Sequence, residues 1–496
     1  MFPIASPQLQ QLVQRITTFL ASGQIGAADR QLADLARIAP NHAETARLRG
    51  VIRTQQGRFR EAERSLSFAY QLAPKDINVL MAIAQLSYRQ DRIDAVIQVL
   101  EEALKVKPDH PAAIGLMANA RRRQGQPKLA LKLLERIDLS PSNAVTAAWA
   151  HFDLDEPERV LEIINRVVSG PDPGALNRSQ AHHVRGLALE RLGRYEAALA
   201  AYASSKSAIT VRHDFDRYVA WLRSVPEVYS ADRWPSMPRS TNTSETPVIL
   251  AGLPRSGTAL VEAIIAGHPN VGDAGEVEVT RRMVEELMKS DLAESWPQNV
   301  LPKDGAGGFS TETLDTMAKR YLEATAPFGP GAARIVDKHL YNWVYIGTLA
   351  QMLPHARVVH VQRDPDDLGL FCFERLSSAA VPWSADLRRL GTVIHHFQRI
   401  MAHWKAIAPL PILTVQYESL VRDPETEARR IVDFLGLAWD ANCLARFERT
   451  REAEQRREPA PKPPNGSPAT DPSIGRAARF GALLDPLRRA IAGDVA

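Results

Sequence analysis

Residues 252–259, GLPRSGTA, have the residue types and spacing of a loop that binds an anionic group. Gly252 and Gly257 frame the pattern G-x-x-x-x-G, and Arg255 lies between them. A nucleotide-hydrolysing loop of this kind continues with Lys, which contacts the phosphates, and with Ser or Thr, which binds Mg²⁺. Here those two positions are Thr258 and Ala259. Backbone N–H groups still bind an anion and Arg255 supplies positive charge, so the loop predicts a ligand that needs no magnesium.

The residues around this loop predict a strand before it and a helix after it. The apolar run 248–251 has the character of a buried parallel strand. One face of the following helix is apolar at Leu260, Val261, Ile264 and Ile265. Three more strand-like runs occupy residues 334–336, 358–361 and 412–415. Helical stretches separate these runs, which predicts a parallel sheet with crossover helices.

The first half of the chain carries an internal repeat of 34 residues. Prolines recur at this interval at Pro40, Pro74 and Pro108. A turn position keeps the same spacing at Gly23, Gly57, Asp91 and Gly125. The period and the helix-turn-helix pattern resemble the tetratricopeptide repeat, and the pattern returns at Gly193 after an irregular stretch. We expect five or six units between about residues 7 and 222, forming a helical solenoid with a concave binding surface.

Composition narrows the class of protein. The chain has 496 residues, 45% of them hydrophobic and 24% charged, which indicates two or three globular domains. A net charge of +4 suits an anionic ligand but is too small to favour nucleic acid. The two cysteines, Cys372 and Cys443, have no metal-ligand spacing and do not form a disulfide framework. We found no secretory signal and no apolar stretch long enough to span a membrane, so the expected location is cytoplasmic.

Further segments follow the glycine loop in a fixed order. The extended loop, 254–271, is followed by residues 273–276 (DAGE), 337–338 (DK), 357–367 (RVVHVQRDPDD), 415–425 (VQYESLVRDPE) and 473–476 (SIGR). Together with the repeats, this order resembles the PAPS-dependent sulfotransferases that are fused behind tetratricopeptide repeats in bacterial proteins and are related to the tyrosylprotein sulfotransferases. PAPS is 3′-phosphoadenosine 5′-phosphosulfate. The resemblance therefore implies PAPS as co-substrate, no metal, and a P-loop-like α/β sulfotransferase domain.

The resemblance also implies roles for individual residues. The 5′-phosphosulfate would be bound by Pro254, Arg255, Ser256, Gly257 and Thr258, with Arg255 stabilising charge on the transferred group. Lys338 would neutralise the leaving phosphate oxygen. The other donor ligands implied are Arg363 for the 3′-phosphate, Tyr417 for the adenine, and Ser473, Gly475 and Arg476 in the last motif.

The general base is left open among three residues. Resemblance to the tyrosylprotein enzymes favours Glu276, and Glu278 lies two residues further on. His339 is the rival, because a histidine near this lysine is the base in the cytosolic small-molecule enzymes.

Three positions depart from the family pattern. Ala259 stands where a second Thr is usual, Phe371 where a serine is usual eight residues after Arg363, and Ala477 where a tryptophan is common. Lost hydroxyl donors weaken binding of a buried phosphate. The leading hypothesis is a PAPS-dependent sulfotransferase acting on a hydroxyl group. The alternatives are a non-catalytic repeat scaffold with a degenerate domain and, less favoured, a P-loop kinase or NTPase.

These observations predict a domain order. Residues 1–222 would form the repeat array, 223–246 a linker or lead-in, and 247–496 the α/β domain. Within the last, 452–471 is charged and then proline-rich, which predicts a lid over the donor or a linker. The acceptor is expected to be a peptide, a glycan or a small molecule, and the array would recruit the acceptor or a protein partner.

Overall fold

The computed structural model describes residues 7–209, 214–287, 309–375, 381–457 and 471–494. The chain folds as two units, Met1–Pro173 and Gly174–Ala496, each with its own core. The proline-rich part of the predicted lid lies outside the described residues.

The first unit consists of helices joined in pairs by short turns. Its helices are α1 (Pro7–Ala21), α2 (Ile25–Ile38), α3 (Ala43–Gln55), α4 (Phe59–Leu72), α5 (Ile77–Arg89), α6 (Ile93–Val106), α7 (Pro111–Arg123), α8 (Pro127–Leu134), α9 (Pro141–Asp153) and α10 (Pro157–Ser169). The predicted helical solenoid is therefore confirmed.

The turn inside each pair depends on a residue with left-handed backbone conformation. The φ angles are +72° at Gly23, +74° at Gly57, +60° at Asp91 and +81° at Gly125. Glycine adopts this conformation without a steric penalty, and aspartate is among the few other residues that tolerate it. These positions are spaced by 34 residues because each repeat needs one residue with left-handed backbone conformation at its turn.

The irregular stretch after Pro141 contains a fifth turn of the same kind. Asp155 has a φ of +63°, and it links α9 to α10. It comes 30 residues after Gly125 because the helix α8 has only 8 residues, whereas α2, α4 and α6 have 14 each. The repeat therefore continues through this region with a shortened unit.

The second unit begins with another helical pair and continues into an α/β domain. Its helices are α11 (Ala175–Arg191), α12 (Tyr195–Ser207), α13 (Phe215–Val228), α14 (Thr258–Ile265), α15 (Val279–Leu287), α16 (Thr311–Thr325), α17 (Asn342–Met352), α18 (Pro365–Arg375), α19 (Leu387–Ile407), α20 (Tyr417–Arg422), α21 (Pro424–Phe434), α22 (Asn442–Arg457) and α23 (Asp485–Ile491). Its strands are β1 (Pro247–Ala251), β2 (Val271–Gly275), β3 (Arg334–Asp337), β4 (Arg357–Gln362) and β5 (Ile412–Gln416).

The five strands form one parallel sheet in the order β2-β3-β1-β4-β5. The strand β1 lies at the centre and is buried along its whole length. One face of the sheet packs against α14, α20, α21 and α22 in a continuous apolar core. On the other face, His360 of β4 lies against Phe397 of α19, with 5.6 Å between the ring centroids. The predicted parallel sheet is confirmed.

Three features differ from the sequence-based expectations. The strand β2 was not predicted, because its sequence, VGDAG, has a single large apolar side chain and only two of its residues are buried. The helix α13 extends to Val228, so the predicted linker at 223–246 begins inside a helix. The pair α11 and α12, which has the repeat's turn at Gly193, belongs to the second unit, so the repeat pattern and the first unit end at different places.

Candidate functional site

Each strand of the sheet is followed directly by residues that the sequence singled out. The glycine loop follows β1, Glu276 follows β2, Lys338 follows β3, Arg363 follows β4 and Tyr417 follows β5. Because all five strands run in the same direction, these residues meet at one edge of the sheet. The backbone N–H of Lys338 donates to the Gly275 carbonyl over 2.8 Å, which holds the ends of β2 and β3 together.

The loop between β1 and α14 has two residues in the left-handed region. The φ angle is +69° at Arg255 and +101° at Gly257. Alternation of this conformation along a short loop turns successive N–H groups toward one point, which creates an anion-binding concavity. The helix α14 then starts at Thr258, and the N–H groups of its first residues have no acceptor within the helix. The loop and the helix N-terminus together form a cradle for an anion.

Two loop residues stabilise this shape from the inside. The Ser256 hydroxyl donates to the Leu253 carbonyl over 2.7 Å, so this side chain is used within the loop and does not line the cleft. At Gly257, a Cβ atom would lie 2.5 Å from the ring of Tyr417, so the close approach of loop and ring requires glycine.

A cleft of about 370 Å³ opens beside the loop. Of the residues named from the sequence, it is lined by Pro254, Arg255, Gly257, Thr258, Glu276, Lys338, His339, Arg363, Tyr417 and Ser473. Ser256, Gly475 and Arg476 are not among its lining residues. Most of the side chains predicted to act together are therefore brought together.

Lys338 is held by two carboxylates. Its Nζ lies 2.8 Å from Glu262 Oε2 on α14 and 3.9 Å from Glu276 Oε1. Burial by itself would lower the pKa of Lys338, but Glu262 and then Glu276 outweigh it and raise that pKa above its ordinary value. The ammonium group is therefore charged at neutral pH and fixed at the cleft wall.

The two glutamates considered as the general base, Glu276 and Glu278, differ in their surroundings. The Glu276 side chain is 66% exposed and lines the cleft. Glu278 is instead paired with Arg281 at 2.8 Å and with Arg282 at 3.1 Å, and it does not line the cleft. Of the two glutamates, Glu276 is the one placed at the cleft.

His339 lines the cleft as a neutral ring. Burial lowers its pKa to about 4, with a smaller opposing effect of Glu278. Its backbone N–H donates to Asp337 Oδ1 over 2.9 Å, and Asp337 also accepts from Tyr321 Oη over 2.9 Å. The neutral ring can accept a proton, and a base of this strength is comparable with an ordinary carboxylate, so His339 stays a candidate base beside Glu276.

Arg363 connects three parts of the site. Its Nη1 donates to the Arg255 carbonyl over 2.9 Å, and its Nη2 donates to the Ser473 hydroxyl over 2.9 Å. Its guanidinium lies over the Tyr417 ring, 4.2 Å from the centroid. Arg363 is only 4% exposed, so these contacts fix the loop against the segment around Ser473.

An aspartate completes this end of the cleft. Tyr417 Oη donates to Asp471 Oδ2 over 2.8 Å, and the Ser473 hydroxyl donates to Asp471 Oδ1 over 2.6 Å. Burial raises the pKa of Tyr417 well above its ordinary value, so the phenol stays protonated. Asp471 therefore places negative charge near the arginine expected to bind the 3′-phosphate.

Phe371 occupies the position where a hydroxyl was expected. Its ring centroid lies 5.0 Å from the Arg363 guanidinium carbon, 5.4 Å from that of Arg375 and 5.9 Å from that of Arg255. The ring lines the cleft and makes cation–π contacts with these groups. The cleft is open beside the loop, and Phe371 supplies an aromatic wall there in place of a hydrogen-bond donor.

Arg476 does not lie where the sequence predicted. It is 1% exposed, and its Nε and Nη2 donate to the Glu190 carboxylate of α11 over 2.6 and 2.5 Å. Its Nη1 donates to Glu374. Although burial acts in the opposite direction, Arg375 and Arg476 hold the pKa of Glu374 well below its ordinary value. We therefore exclude Arg476 from the proposed ligand set, because its guanidinium is committed to this buried ion cluster.

Gly475 is likewise structural. Its N–H donates to Asp367 Oδ2 over 2.6 Å, and the N–H of Ala477 donates to Asp367 Oδ1 over 2.7 Å. These bonds anchor the segment that carries Ser473 to the start of α18.

Several functional residues were not singled out from the sequence. Asp471, Arg451 and Glu454 line the cleft, and Glu262 holds Lys338 at the cleft wall. Glu454 and Asp471 fall within residues 452–471, the segment predicted to be a lid over the donor or a linker, but neither side chain was named there. Arg451 of α22 lies far along the chain from the glycine loop and gave no local signal.

Neither a metal-binding cluster nor a membrane-spanning helix is seen in the described part of the chain. Within the described ranges, no group of three or more His, Cys, Asp or Glu side chains is placed to hold a metal ion. In the same part of the chain, every helix is too short or too polar to cross a membrane.

Comparisons with known proteins agree with this architecture. Residues 247–441 match the family model described as "Sulfotransferase family", and residues 53–120 and 89–151 match that of the tetratricopeptide repeat. A protein-tyrosine sulfotransferase A of Caenorhabditis elegans is 26% identical over 210 residues, which cover 40% of this chain and 51% of that protein. An uncharacterized protein of Aquifex aeolicus is 24% identical over 372 residues, covering 73% of this chain and 46% of that protein. The chain thus spans about half the length of these two relatives.

Among solved structures, the sulfotransferase STF9 from Mycobacterium avium is similar over 68% of this chain and 94% of its own, with 16% identity and a TM-score of 0.30.

The contact between Lys338 and Glu262 yields a testable prediction. We expect the substitution Glu262→Gln to lower the pKa of Lys338, because burial then acts against the ammonium with only Glu276 nearby. The measurement is an NMR titration of the lysine Cε resonance. The matched control is Glu278→Gln, which removes a carboxylate that pairs with Arg281 and Arg282. An equal effect of the two substitutions would contradict the assigned ion pair.

Proposed function

We propose that this chain, which carries tetratricopeptide repeats and a domain of the sulfotransferase family, transfers a sulfuryl group from PAPS to a hydroxyl group of an acceptor. The observation that carries the proposal is the anion cradle at the end of β1, flanked in one cleft by Arg255, Lys338 and Glu276. The cradle has no Ser or Thr at the position that binds magnesium in nucleotide hydrolases, and the transferred sulfuryl group does not need that ion.

The residues present fit the 5′-phosphosulfate end of the donor. The N–H groups at the start of α14 and in the loop would donate hydrogen bonds to the 5′-phosphate oxygens, and Arg255 would stabilise charge on the sulfuryl oxygens. Thr258 adds a hydroxyl at the cleft wall. Lys338, held by Glu262, would supply positive charge for the phosphate oxygen that leaves.

The fit to the 3′-phosphate end is weaker. Arg363 and Ser473 line the cleft, but they are already hydrogen-bonded to each other. Phe371 offers no hydrogen bond, and Asp471 adds a negative charge nearby. We therefore propose that this protein binds the 3′-phosphate less tightly than a site with serine at position 371.

The reaction requires one proton acceptor. As the acceptor oxygen bonds to sulfur, the bond from sulfur to the bridging oxygen of the donor breaks, and its electron pair stays on the 5′-phosphate of the product. The hydroxyl proton goes to Glu276, whose exposed carboxylate lies at the cleft. His339 is the second candidate, because its neutral ring also lines the cleft.

The repeats suggest how the acceptor is recruited. Helical repeat arrays present extended surfaces to peptides and proteins. We propose that residues of the first unit recruit the acceptor or a protein partner. The acceptor itself is a peptide, a glycan or a small molecule with a hydroxyl group.

One competing function rests on a specific observation. Phe371 contacts Arg255 and Arg363, and both terminal nitrogens of Arg363 are already hydrogen-bonded. If these contacts keep nucleotide out of the cleft, the domain would be a non-catalytic part of a repeat scaffold. A kinase or NTPase is disfavoured, since both Lys and Ser/Thr are missing after Gly257.

Calorimetry with 3′-phosphoadenosine 5′-phosphate tests the proposal. We expect saturable binding that weakens about 10- to 150-fold in Arg255→Ala, which corresponds to about 1.5–3 kcal/mol for a charged hydrogen bond. Arg429→Ala, which removes an exposed arginine paired with Glu425, is the control and should bind normally. Binding of ATP with Mg²⁺ instead would favour a kinase, and no binding would favour the scaffold.

Substitution at position 371 tests the weaker 3′-end. We expect Phe371→Ser to tighten binding of 3′-phosphoadenosine 5′-phosphate, because a hydroxyl there contributes about 1–3 kcal/mol to a buried phosphate. Adenosine 5′-phosphate, which lacks the 3′-phosphate, should gain nothing. The control Phe371→Leu removes the ring without adding a donor. A similar gain for both nucleotides would show that the ring only obstructs the cleft.

Turnover identifies the base. With labelled donor and a pooled set of tyrosine peptides, sugars and phenols, we expect Glu276→Gln to lower the rate by about 10²–10⁴-fold, the usual contribution of general base catalysis. His339→Ala should lower it much less. An unchanged rate in Glu276→Gln would remove Glu276 from the mechanism, and a large loss only in His339→Ala would assign the role to the histidine.

A further inference from the structure

A second cavity, of about 220 Å³, lies on the face of the sheet opposite to α14. The end of β4 contributes His360 and Arg363, the helix α18 contributes Leu368, and α19 contributes Phe397, Met401 and Lys405. Nothing in the proposed sulfuryl transfer uses this cavity. It shares only Arg363 with the cleft beside the glycine loop.

Two buried nitrogen atoms at this cavity have no hydrogen-bond partner within the described part of the chain. They are Nε2 of His360, which is 2% exposed, and Nε of Arg363, which is 4% exposed. The terminal nitrogens of Arg363 are bonded to Arg255 and Ser473, so Nε is the remaining donor of that guanidinium. Buried donors without acceptors are costly, so a ligand in the cavity that accepted from them would be favoured.

His360 is a neutral donor toward the cavity. Burial and then the nearby charge of Lys405 lower its pKa to about 3. Its Nδ1 lies 3.3 Å from the Thr414 hydroxyl, and which of the two donates depends on the ring tautomer. We place the ring proton on Nε2, so that Nδ1 accepts from Thr414 and Nε2, the atom that has no partner, is a donor.

The charge around the cavity favours an anion. Lys405 is exposed at the edge of the cavity. Burial of part of the Lys405 side chain lowers the pKa of its ammonium group, and the charge of that group acts on His360. Among the described residues that line the cavity, none carries a carboxylate. Arg363 and Lys405 are cationic, which favours an anion, and the apolar walls favour a carboxylate with an apolar body over inorganic phosphate.

The remaining walls are apolar. Leu368, Ile394, Phe397 and Met401 surround the space next to the donors, and each of them is buried. The cavity is smaller than the roughly 300–1,000 Å³ of common ligand sites, so the ligand must be small. A compact aromatic or branched aliphatic group would cover these side chains.

We propose that this cavity binds a small monocarboxylate with a compact apolar body, whose carboxylate accepts hydrogen bonds from His360 Nε2 and Arg363 Nε and faces Lys405. The site is distinct from the donor cleft and its occupancy does not depend on the proposed sulfuryl transfer.

Titration of the full chain with benzoate tests the site, with benzamide as an uncharged molecule of the same shape. We expect saturable benzoate binding that weakens about fivefold or more in Lys405→Gln. Arg399→Gln is the matched control, because it removes an exposed arginine of the same helix that does not line the cavity. Benzamide should bind more weakly and equally to all three proteins. Equal binding of benzoate and benzamide, or no effect of Lys405→Gln, would overturn the proposal.

Histidine ¹⁵N NMR locates the ligand. Benzoate should shift the ring signal of His360, identified by its loss in His360→Gln, and leave that of His268, which bonds to the Ala438 carbonyl, unchanged. A shift of His339 in place of His360 would put benzoate in the donor cleft. An absence of any saturable shift would mean that only water occupies the cavity, and displacement of benzoate by inorganic phosphate at equal concentration would mean that the cavity selects phosphate. Each of these three results contradicts the proposal.

Discussion

The common direction of five strands is the constraint on which the site depends. Because β1 to β5 are all parallel, every loop that leaves a carboxyl end starts from the same edge of the sheet. The glycine loop leaves from the central strand, with the ends of β3 and β4 on its two sides. Residues as far apart in the chain as Arg255 and Tyr417 therefore reach one cleft without long loops. Any change that reversed one strand would remove its charged residue from the cleft.

Inside the cleft, the charged side chains form two separate groups. At one end Lys338 is paired with Glu262 and Glu276. At the other end Arg363 lies between the loop backbone, Ser473 and the ring of Tyr417, and Asp471 completes the group. Each cation is held in place by neighbours before a ligand arrives, so little reorganisation is needed on binding. The same contacts occupy the terminal nitrogens of Arg363, so a ligand at this end of the cleft would compete with them.

The sequence was informative where one residue type meets a backbone requirement. The repeats were visible because each turn needs a left-handed residue at Gly23, Gly57, Asp91 or Gly125, and Asp155 escaped notice only because a shortened helix altered its spacing. Four strands were apolar runs and were predicted, whereas β2 was not, since an edge strand that is half exposed needs no apolar pattern. The site residues that directly follow the strands could be predicted, because parallel strands bring their carboxyl ends to one edge of the sheet. Contacts between distant segments could not be predicted. No local pattern indicates that Glu190 of α11 pairs with Arg476, and so a residue of the structural interior was assigned to the site.

That buried cluster has a consequence for how such a protein could be assembled from modules. Arg476 and Glu374 are both almost fully enclosed; Arg476 pairs with Glu190 and with Glu374, and Glu374 also pairs with Arg375. Tyr202 of α12 donates to Glu190 over 2.8 Å. The helical pair α11 and α12 thus serves as part of the interior of the α/β unit, although its turn at Gly193 is that of a repeat. Exchange of the whole repeat region for another, with a junction near residue 222, would remove Glu190 and leave two buried arginines to share Glu374, at a cost of about 3–5 kcal/mol. A junction before Gly174 would keep this helical pair, and with it the balanced cluster, within the α/β unit.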